Sequence, residues 1–246
     1  MSDDERDLAV AIELAQAAGE VVRGHFRRLE HIVRKGPGDV VTEVDFLAEA
    51  LILDGIRAAF PADRIVAEES GNHPAGAGRG GASRTDRTWF VDPLDGTVNY
   101  AHGIPFCSVS IGLVAGGRPV VGVVLDPLAG ELFTAIAGGP ALLNGEPIQV
   151  ATDVCSEDLL VSSDAAPRGR LLGSSALELC YVAAGRLDAF IQADHLSNWD
   201  VAAAGLIAER AGASLSKVPA GPWFELERAP GFGLTVASPA YLQRRG

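Results

Sequence analysis

Asp92 and Asp95 stand three residues apart within Trp89-Phe90-Val91-Asp92-Pro93-Leu94-Asp95-Gly96-Thr97-Val98-Asn99-Tyr100, a stretch that begins as a short apolar strand. Pro93 fixes its own φ, removes a backbone donor and disfavours the helical region for Asp92, so the strand is expected to stop there. Gly96 permits a tight turn and close backbone approach by a ligand. Two carboxylates at a strand end, beside free amide donors, suit a hard cation and a phosphate together. Mg²⁺ takes oxygen ligands and usually shares them with substrate phosphate and water. The same residues would also serve an ordinary Asp-Pro, Asp-Gly turn.

The elements that must position this stretch are readable in order. Leu8, Ile12, Ala15, Ala18, Val22 and Phe26 recur at helical steps, which predicts an amphipathic helix from about Asp4 to Arg28. Arg34 to Asp45 reads as a Gly- and Pro-containing loop, with Thr42 as N-cap of a helix that carries Phe46, Leu47, Ala50, Leu51, Ile56 and Phe60 and stops at Pro61. Asp45 lies in the first turn of that helix, where a carboxylate is favoured by the dipole alone. Arg64 to Ser70 is a short strand ending in Glu68 and Glu69, and Gly71 to Arg87 reads as a mobile surface loop. Phe106 to Val114 and Val120 to Leu125 are β-rich runs joined at Gly116-Gly117, and the Asn144-Gly145 turn suggests further antiparallel pairing around Leu132 to Ile136. A second half begins near Ala151. There Gly173-Ser174-Ser175 opens a helix, either leaving backbone amides free for an anion or hydroxyl or being capped by one of its serines. Leu187 to Ile191 reads as a strand. Asn198-Trp199-Asp200 opens a small-residue helix with Asp200 as a plausible N-cap, closed by Gly212. Leu234 to Pro239 is a final strand.

The 246 residues are 48% hydrophobic and 21% charged, enough for one substantial core in one domain or two closely fused halves. A net charge of −12 argues against nucleic acid or an anionic membrane as the main partner. An acidic enzyme acting on an anionic phosphate needs cations between the two. Cys107, Cys155 and Cys180 show no CxxC spacing, which fits a reduced, cytoplasmic setting better than a disulfide framework. The five histidines lack the paired spacing of a zinc site, and neither a signal peptide nor a membrane span is readable.

Asp92-Pro93-Leu94-Asp95-Gly96-Thr97 resembles the metal-binding motif of the inositol monophosphatase family, Mg²⁺-dependent and Li⁺-sensitive phosphatases. Val98 to Phe106 continues the match in the manner of the inositol-phosphatase branch. Lys35 through Asp45, Glu68-Glu69-Ser70 and Trp199-Asp200 are similar to further landmarks in the same order. The resemblance implies an α/β fold of alternating helix and sheet layers, an αβαβα sandwich, with residues 1–150 and 151–246 as halves that meet at the site. It implies Glu69, Asp92, the Leu94 carbonyl, Asp95 and Asp200 as ligands for two or three Mg²⁺ ions, with Glu69 bridging. It implies Asp45 and Thr97 as the pair that orients the attacking water, and the Gly96 and Thr97 amides as a phosphate site. Lys35 would point at the site, and Gly173, Ser174, Ser175 and Gln192 would face substrate. If those acids converge, two carboxylates about 4 Å apart repel by roughly 4 kcal/mol at an effective dielectric of about 20, so the cluster reads as a cation cage.

The expected reaction is direct in-line hydrolysis of inositol monophosphate or a related small sugar phosphate, without a phosphoenzyme, by a homodimer. Fructose-1,6-bisphosphate, histidinol phosphate and 3′-nucleotides are alternative substrates, and a catalytically silent binding or regulatory protein is the alternative of another class. Two places depart from the family pattern. Inositol-specific members carry a Glu before Trp-Asp, where this chain has Ile191-Gln192-Ala193-Asp194-His195 with an apparent one-residue insertion. Leu159 to Gly173 is shorter than usual, with Ser162, Ser163 and Asp164 where a helix normally follows.

Overall fold

A computed structural model describes residues 2–36, 39–76, 86–152, 159–163, 169–218 and 221–245. The chain forms helix α1 (Asp3–His25), strands β1 (Ile32–Gly36) and β2 (Asp39–Thr42), helix α2 (Glu43–Ala59), and strands β3 (Arg64–Ala67), β4 (Gly71–His73) and β5 (Arg87–Asp95). Helix α3 (Thr97–Ala101) is followed by β6 (Ser108–Ala115), β7 (Arg118–Asp126), β8 (Glu131–Ile136), β9 (Leu142–Leu143) and β10 (Glu146–Pro147). Then come β11 (Val161–Ser162), α4 (Ser175–Ala183), β12 (Ala189–Leu196), α5 (Asn198–Arg210), β13 (Ser214–Val218), β14 (Phe232–Ala237) and α6 (Pro239–Arg245).

Eight strands make one sheet in the order β10-β9-β8-β7-β6-β5-β3-β4, and four make a second in the order β11-β12-β14-β13. Strand alternation sends Trp89, Val91, Ile111 and Leu113 to one face of the large sheet, against Ala11, Ala15 and Ala18 of α1 and Ala48, Ile52 and Ile56 of α2. Phe90, Val114, Val124 and Phe133 point to the other face, where α4 and α5 fill the space before Phe190, Leu234 and Val236 of the small sheet. Tyr241 of α6 closes a third cluster with Val161, Ala189 and Ala237. Helix, sheet, helix, sheet, helix is the layering expected from the sequence.

Helix α5 reaches the large sheet because the sheet is bare there. Gly112 and Gly122 are cross-strand partners on β6 and β7. A Cβ on Gly112 would stand 2.8 Å from the Ala203 nitrogen, and one on Gly122 2.6 Å from the Ala203 oxygen. Glycine therefore sets how close Ala202, Ala203 and Ala204 can lie, and with them Asp200 at the start of the same helix.

The turns at Gly116-Gly117 and Asn144-Gly145 form as expected, with all four residues at positive φ. Other expectations change. Much of Arg34 to Asp45, read as a loop, belongs instead to the antiparallel pair β1 (Ile32–Gly36) and β2 (Asp39–Thr42). Gly71–His73 pairs with β3 as an edge strand, while residues 77–85 of the expected loop lie outside the described residues. Phe46 and Leu47 are 52% and 50% exposed, because the face of α2 that packs is Val44, Ala48, Ile52 and Ile56.

Candidate active site

Strand β5 does not stop at Asp92. It continues to Asp95 through a register shift in which Asp92 pairs with Ser110 and Asp95 with Ser108. Pro93 falls inside this bulge, where its missing N–H leaves no ladder bond unmade. The bulge aims both carboxylates out of the sheet end, and the Leu94 amide donates to Asp92 Oδ1 at 3.0 Å. Gly96 follows at φ 92°, and a Cβ there would lie 2.9 Å from the Gly173 oxygen, so glycine is required twice over.

Asp92, Asp95 and Asp200 present one oxygen each within 4.8 Å of one another. Each is also fixed by a hydrogen bond that its carboxylate accepts. Asp95 Oδ2 accepts from the Ser174 hydroxyl (2.6 Å) and the Ala176 amide (2.7 Å), so a carboxylate from β5 caps α4. This uses the Gly-Ser-Ser helix start for holding Asp95, and the side chains of Ser174 and Ser175 do not cap α4. Asp200 is not the N-cap of α5. Ser197 is, and Asp200 is the third helical residue, its Oδ2 accepting the Ser197 amide at 2.6 Å. Asp45 repeats this at the start of α2, where Oδ2 accepts the Thr42 amide (2.9 Å) and hydroxyl (2.6 Å). Its Oδ1 accepts from the Thr97 hydroxyl at 3.0 Å, and that hydroxyl also lies 2.8 Å from the Leu94 carbonyl.

Glu68 joins the three aspartates. Its amide donates to Val91 O at 3.0 Å, which extends the β3–β5 ladder. Alternation then puts Val66 and Glu68 on the same face as Phe90 and Asp92, and the Glu68 and Asp92 side chains are hydrogen-bonded. Two carboxyls can share such a bond only if one keeps its proton. The sequence expectation fell on Glu69, one residue on, which the same alternation sends to the α2 side. There its carboxylate meets Lys35 Nζ at 2.6 Å, under the influence of Asp45 and Glu49.

Burial, then the charges of Glu68, Asp95 and Asp200, push the Asp92 carboxyl well above its ordinary range. Burial and the Asp95 charge do the same to Asp200. Burial, offset in part by Asp92 and Lys35, raises Glu68 to about 7. Asp95 is raised by burial against the pull of its Ser174 and Ala176 donors. Glu68, Asp92, Leu94, Asp95, Thr97 and Asp200 line a cavity of about 200 Å³, with Val40, Gly96, Val98 and Gly173 completing its wall. Oxygen donors gather there, with no His or Cys among the described lining residues. That is the donor set of a hard divalent cation such as Mg²⁺.

The family model for the inositol monophosphatase family matches residues 3–243. The chain belongs to the inositol monophosphatase family. "Inositol monophosphatase 2" of Solanum lycopersicum is 42% identical over 240 residues, covering 88% of this chain and 89% of the relative. "Fructose-1,6-bisphosphatase/inositol-1-monophosphatase" of Thermotoga maritima is 35% identical over 221 residues, 83% of this chain and 82% of that one. A solved Thermotoga maritima IMPase superposes with a TM-score of 0.83 at 30% identity, covering 98% of this chain and 94% of its own. Inositol monophosphatases are phosphoric monoester hydrolases, and this member keeps its acids gathered in one cavity.

The remaining expected residues of this inositol monophosphatase family member take other places. Gln192 sits on β12 opposite Leu234 and is not among the residues lining the acid cavity. The extra length before Trp199 is absorbed by a bulge between Gln192 and Leu196, with His195 at φ 71°. In the short segment, Val161 and Ser162 pair in parallel with β12, and Asp164 lies outside the described residues.

Proposed function

We propose that this cavity hydrolyses a small phosphate monoester, inositol monophosphate or a related sugar phosphate, with two or three Mg²⁺ ions as cofactor. The observation that carries this is the gathering of Asp92, Asp95 and Asp200 within 4.8 Å, with the Glu68 carboxyl acting on Asp92. Glu68, Asp92, the Leu94 carbonyl, Asp95 and Asp200 would hold the cations, with Glu68 in the part first expected of Glu69. Bound there, the cations would make water a stronger acid and draw charge from the phosphoryl oxygens.

The chain's own groups then do the following. Thr97 Oγ1 takes a proton from the attacking water and passes its own to Asp45 Oδ1, along the 3.0 Å bond between them. Burial raises the proton affinity of Asp45, which suits a base. The Gly96 and Thr97 amides orient the phosphate, and Lys35, held by Glu69, offsets its charge at the rim. Gly173, Ser174 and Ser175 form the wall for the alcohol part. The bifunctional name of the Thermotoga relative favours fructose 1,6-bisphosphate as a second substrate.

A homodimer, a cytoplasmic location and inhibition by Li⁺ complete the proposal. Light scattering tests the first. Among the described residues no helix is long and apolar enough to cross a membrane. A panel of inositol, fructose, histidinol and 3′-nucleotide phosphates at fixed Mg²⁺ tests the substrate class. Release of phosphate from inositol or fructose phosphates is expected, and turnover of none of the four would end the proposal.

A further inference from the structure

Two buried glutamates stand behind the cavity, and neither is among its lining residues. Glu49, on the packed face of α2, is 3% exposed. Its two oxygens accept the consecutive backbone amides of Glu69 (2.9 Å) and Ser70 (3.0 Å). Glu178, on α4, is also 3% exposed. Its Oε1 accepts the consecutive amides of Leu172 and Gly173, the latter at 3.0 Å, and its Oε2 accepts the Ser162 hydroxyl at 2.8 Å.

The peptides so held are those that form two facing walls. The Glu69 amide is the one that follows Glu68, whose carboxyl meets Asp92, and Gly173 lines the cavity itself. Buried carboxyl oxygens need donors, and here consecutive backbone amides supply them. At Glu49 a neutral Gln could not copy the fork, since its amide nitrogen would face a backbone N–H, donor against donor; at Glu178 both amides meet one oxygen, so a Gln could keep them with its nitrogen turned to the Ser162 hydroxyl. Repulsion among the cavity acids tends to drive the Glu68 segment outward, and the fork on α2 opposes it. The Leu172 carbonyl is tied from the other side by Asn99 Nδ2 at 2.6 Å, so that wall is held at both faces of one peptide.

We propose that Glu49 and Glu178 are positioning residues with separate tasks, Glu49 setting Glu68 for cation binding and Glu178 setting the Gly173 wall for the substrate's alcohol part. This rests on the phosphatase reading of the cavity.

The test uses the full chain, with Mg²⁺ titrated calorimetrically and inositol monophosphate turnover measured at saturating Mg²⁺. Glu49→Gln is expected to weaken Mg²⁺ binding by about tenfold or more, the usual effect of losing a group that orients a ligand. It should leave KM near the wild-type value. Glu178→Leu is expected to raise KM by a comparable factor and leave the Mg²⁺ affinity in place, with Glu178→Gln, whose oxygen can still accept both amides, recovering much of the loss. A merely structural role would lower stability without this split between cation affinity and KM. Both variants at wild-type values, or both changed alike, would overturn the proposal. If Glu49→Gln or Glu178→Leu fails to fold, amide exchange of the wild type decides: the Glu69, Ser70, Leu172 and Gly173 amides must be protected, and open-chain rates would overturn it. A wild type that neither binds Mg²⁺ nor turns over the substrate panel removes the phosphatase reading beneath it instead.

Discussion

The two ends of strand β5 treat charge in opposite ways. At the start, Arg87 is buried and donates to Asp7 (2.9 Å) and Asp63 (2.9 Å), while Trp89 Nε1 adds a second bond to Asp63 at 3.0 Å and the Phe60 ring covers the guanidinium. Acids and cation are supplied by the same chain, so that end is complete when folded. At the other end, five residues on, the charges acting on Asp92 are those of Glu68, Asp95 and Asp200. The first arrangement joins α1, α2 and the sheet; the second makes sense as a place for a cation from solution. Buried charge near a strand end is therefore uninformative until its partners are counted.

Substitutions at each end should separate these roles. Asp92→Asn is expected to lower phosphatase activity on the order of 10³-fold, as for loss of a single group acting on transition-state charge. Removing one member of a repelling cluster should at the same time leave the metal-free Tm unchanged or raised. A variant with near wild-type activity at limiting Mg²⁺ would remove Asp92 from the site. Arg87→Met should do the reverse, costing about 3–5 kcal/mol of stability because Asp7 and Asp63 are left buried and unpaired. Denaturant unfolding measures this; kcat at a temperature where the variant is folded should stay near wild type.

Thr97→Val keeps the shape and deletes the hydroxyl between Asp45 and Leu94. Its kcat is expected to drop by about 10²-fold, in the range for a lost proton-transfer group, with little change in Tm. An unaltered kcat would exclude the Thr97–Asp45 route.

The acid end should also make stability depend on pH. Glu68 has its folded carboxyl raised to about 7 from 4.5, so the metal-free folded state holds more protons than the unfolded one between those values. Stability must then fall as pH rises through that window. Calorimetric Tm of metal-free protein is expected to drop on the order of 5 °C between pH 5 and 8, and saturating Mg²⁺ should abolish the drop. A metal-free Tm that rises over the same range would contradict the clustering. The smallest effect expected is at Gln192→Glu. A position beside the leaving group should alter the ranking of inositol and sugar phosphates by a few-fold, of the order of one weak hydrogen bond. An unchanged ranking would remove Gln192 from substrate contact.

Much of this was legible before any coordinates. Most helices and strands followed from periodicity and turn chemistry, and the layering, with Asp92, Asp95 and Asp200, from the resemblance to family landmarks. What escaped were features that sequence neighbours do not determine. Glu68 and Glu69 look alike in sequence; the sheet face decides between them, and that face could have been counted from Val66 and Phe90. Asp200 and Asp45 look like simple caps or helix-start acids, yet both sit at the third helical position with one oxygen on their own cap and the other turned to the site. For Asp45 the cap Thr42 was already legible; for Asp200 the cap one turn earlier, Ser197, was not. Asp95 capping α4 joins residues 81 apart, which no local pattern announces. Strands β1 and β2 were hidden by the Gly and Pro between them.

Phosphate release from inositol monophosphate, followed across a Mg²⁺ titration of chelator-treated protein, bears most directly on whether the acid end of β5 is a cation-dependent phosphatase site. The account predicts negligible release without Mg²⁺, saturable activation as it is added, and loss of that activation in Asp92→Asn. Hydrolysis at full rate in the presence of chelator, unaffected by Asp92→Asn, would contradict it.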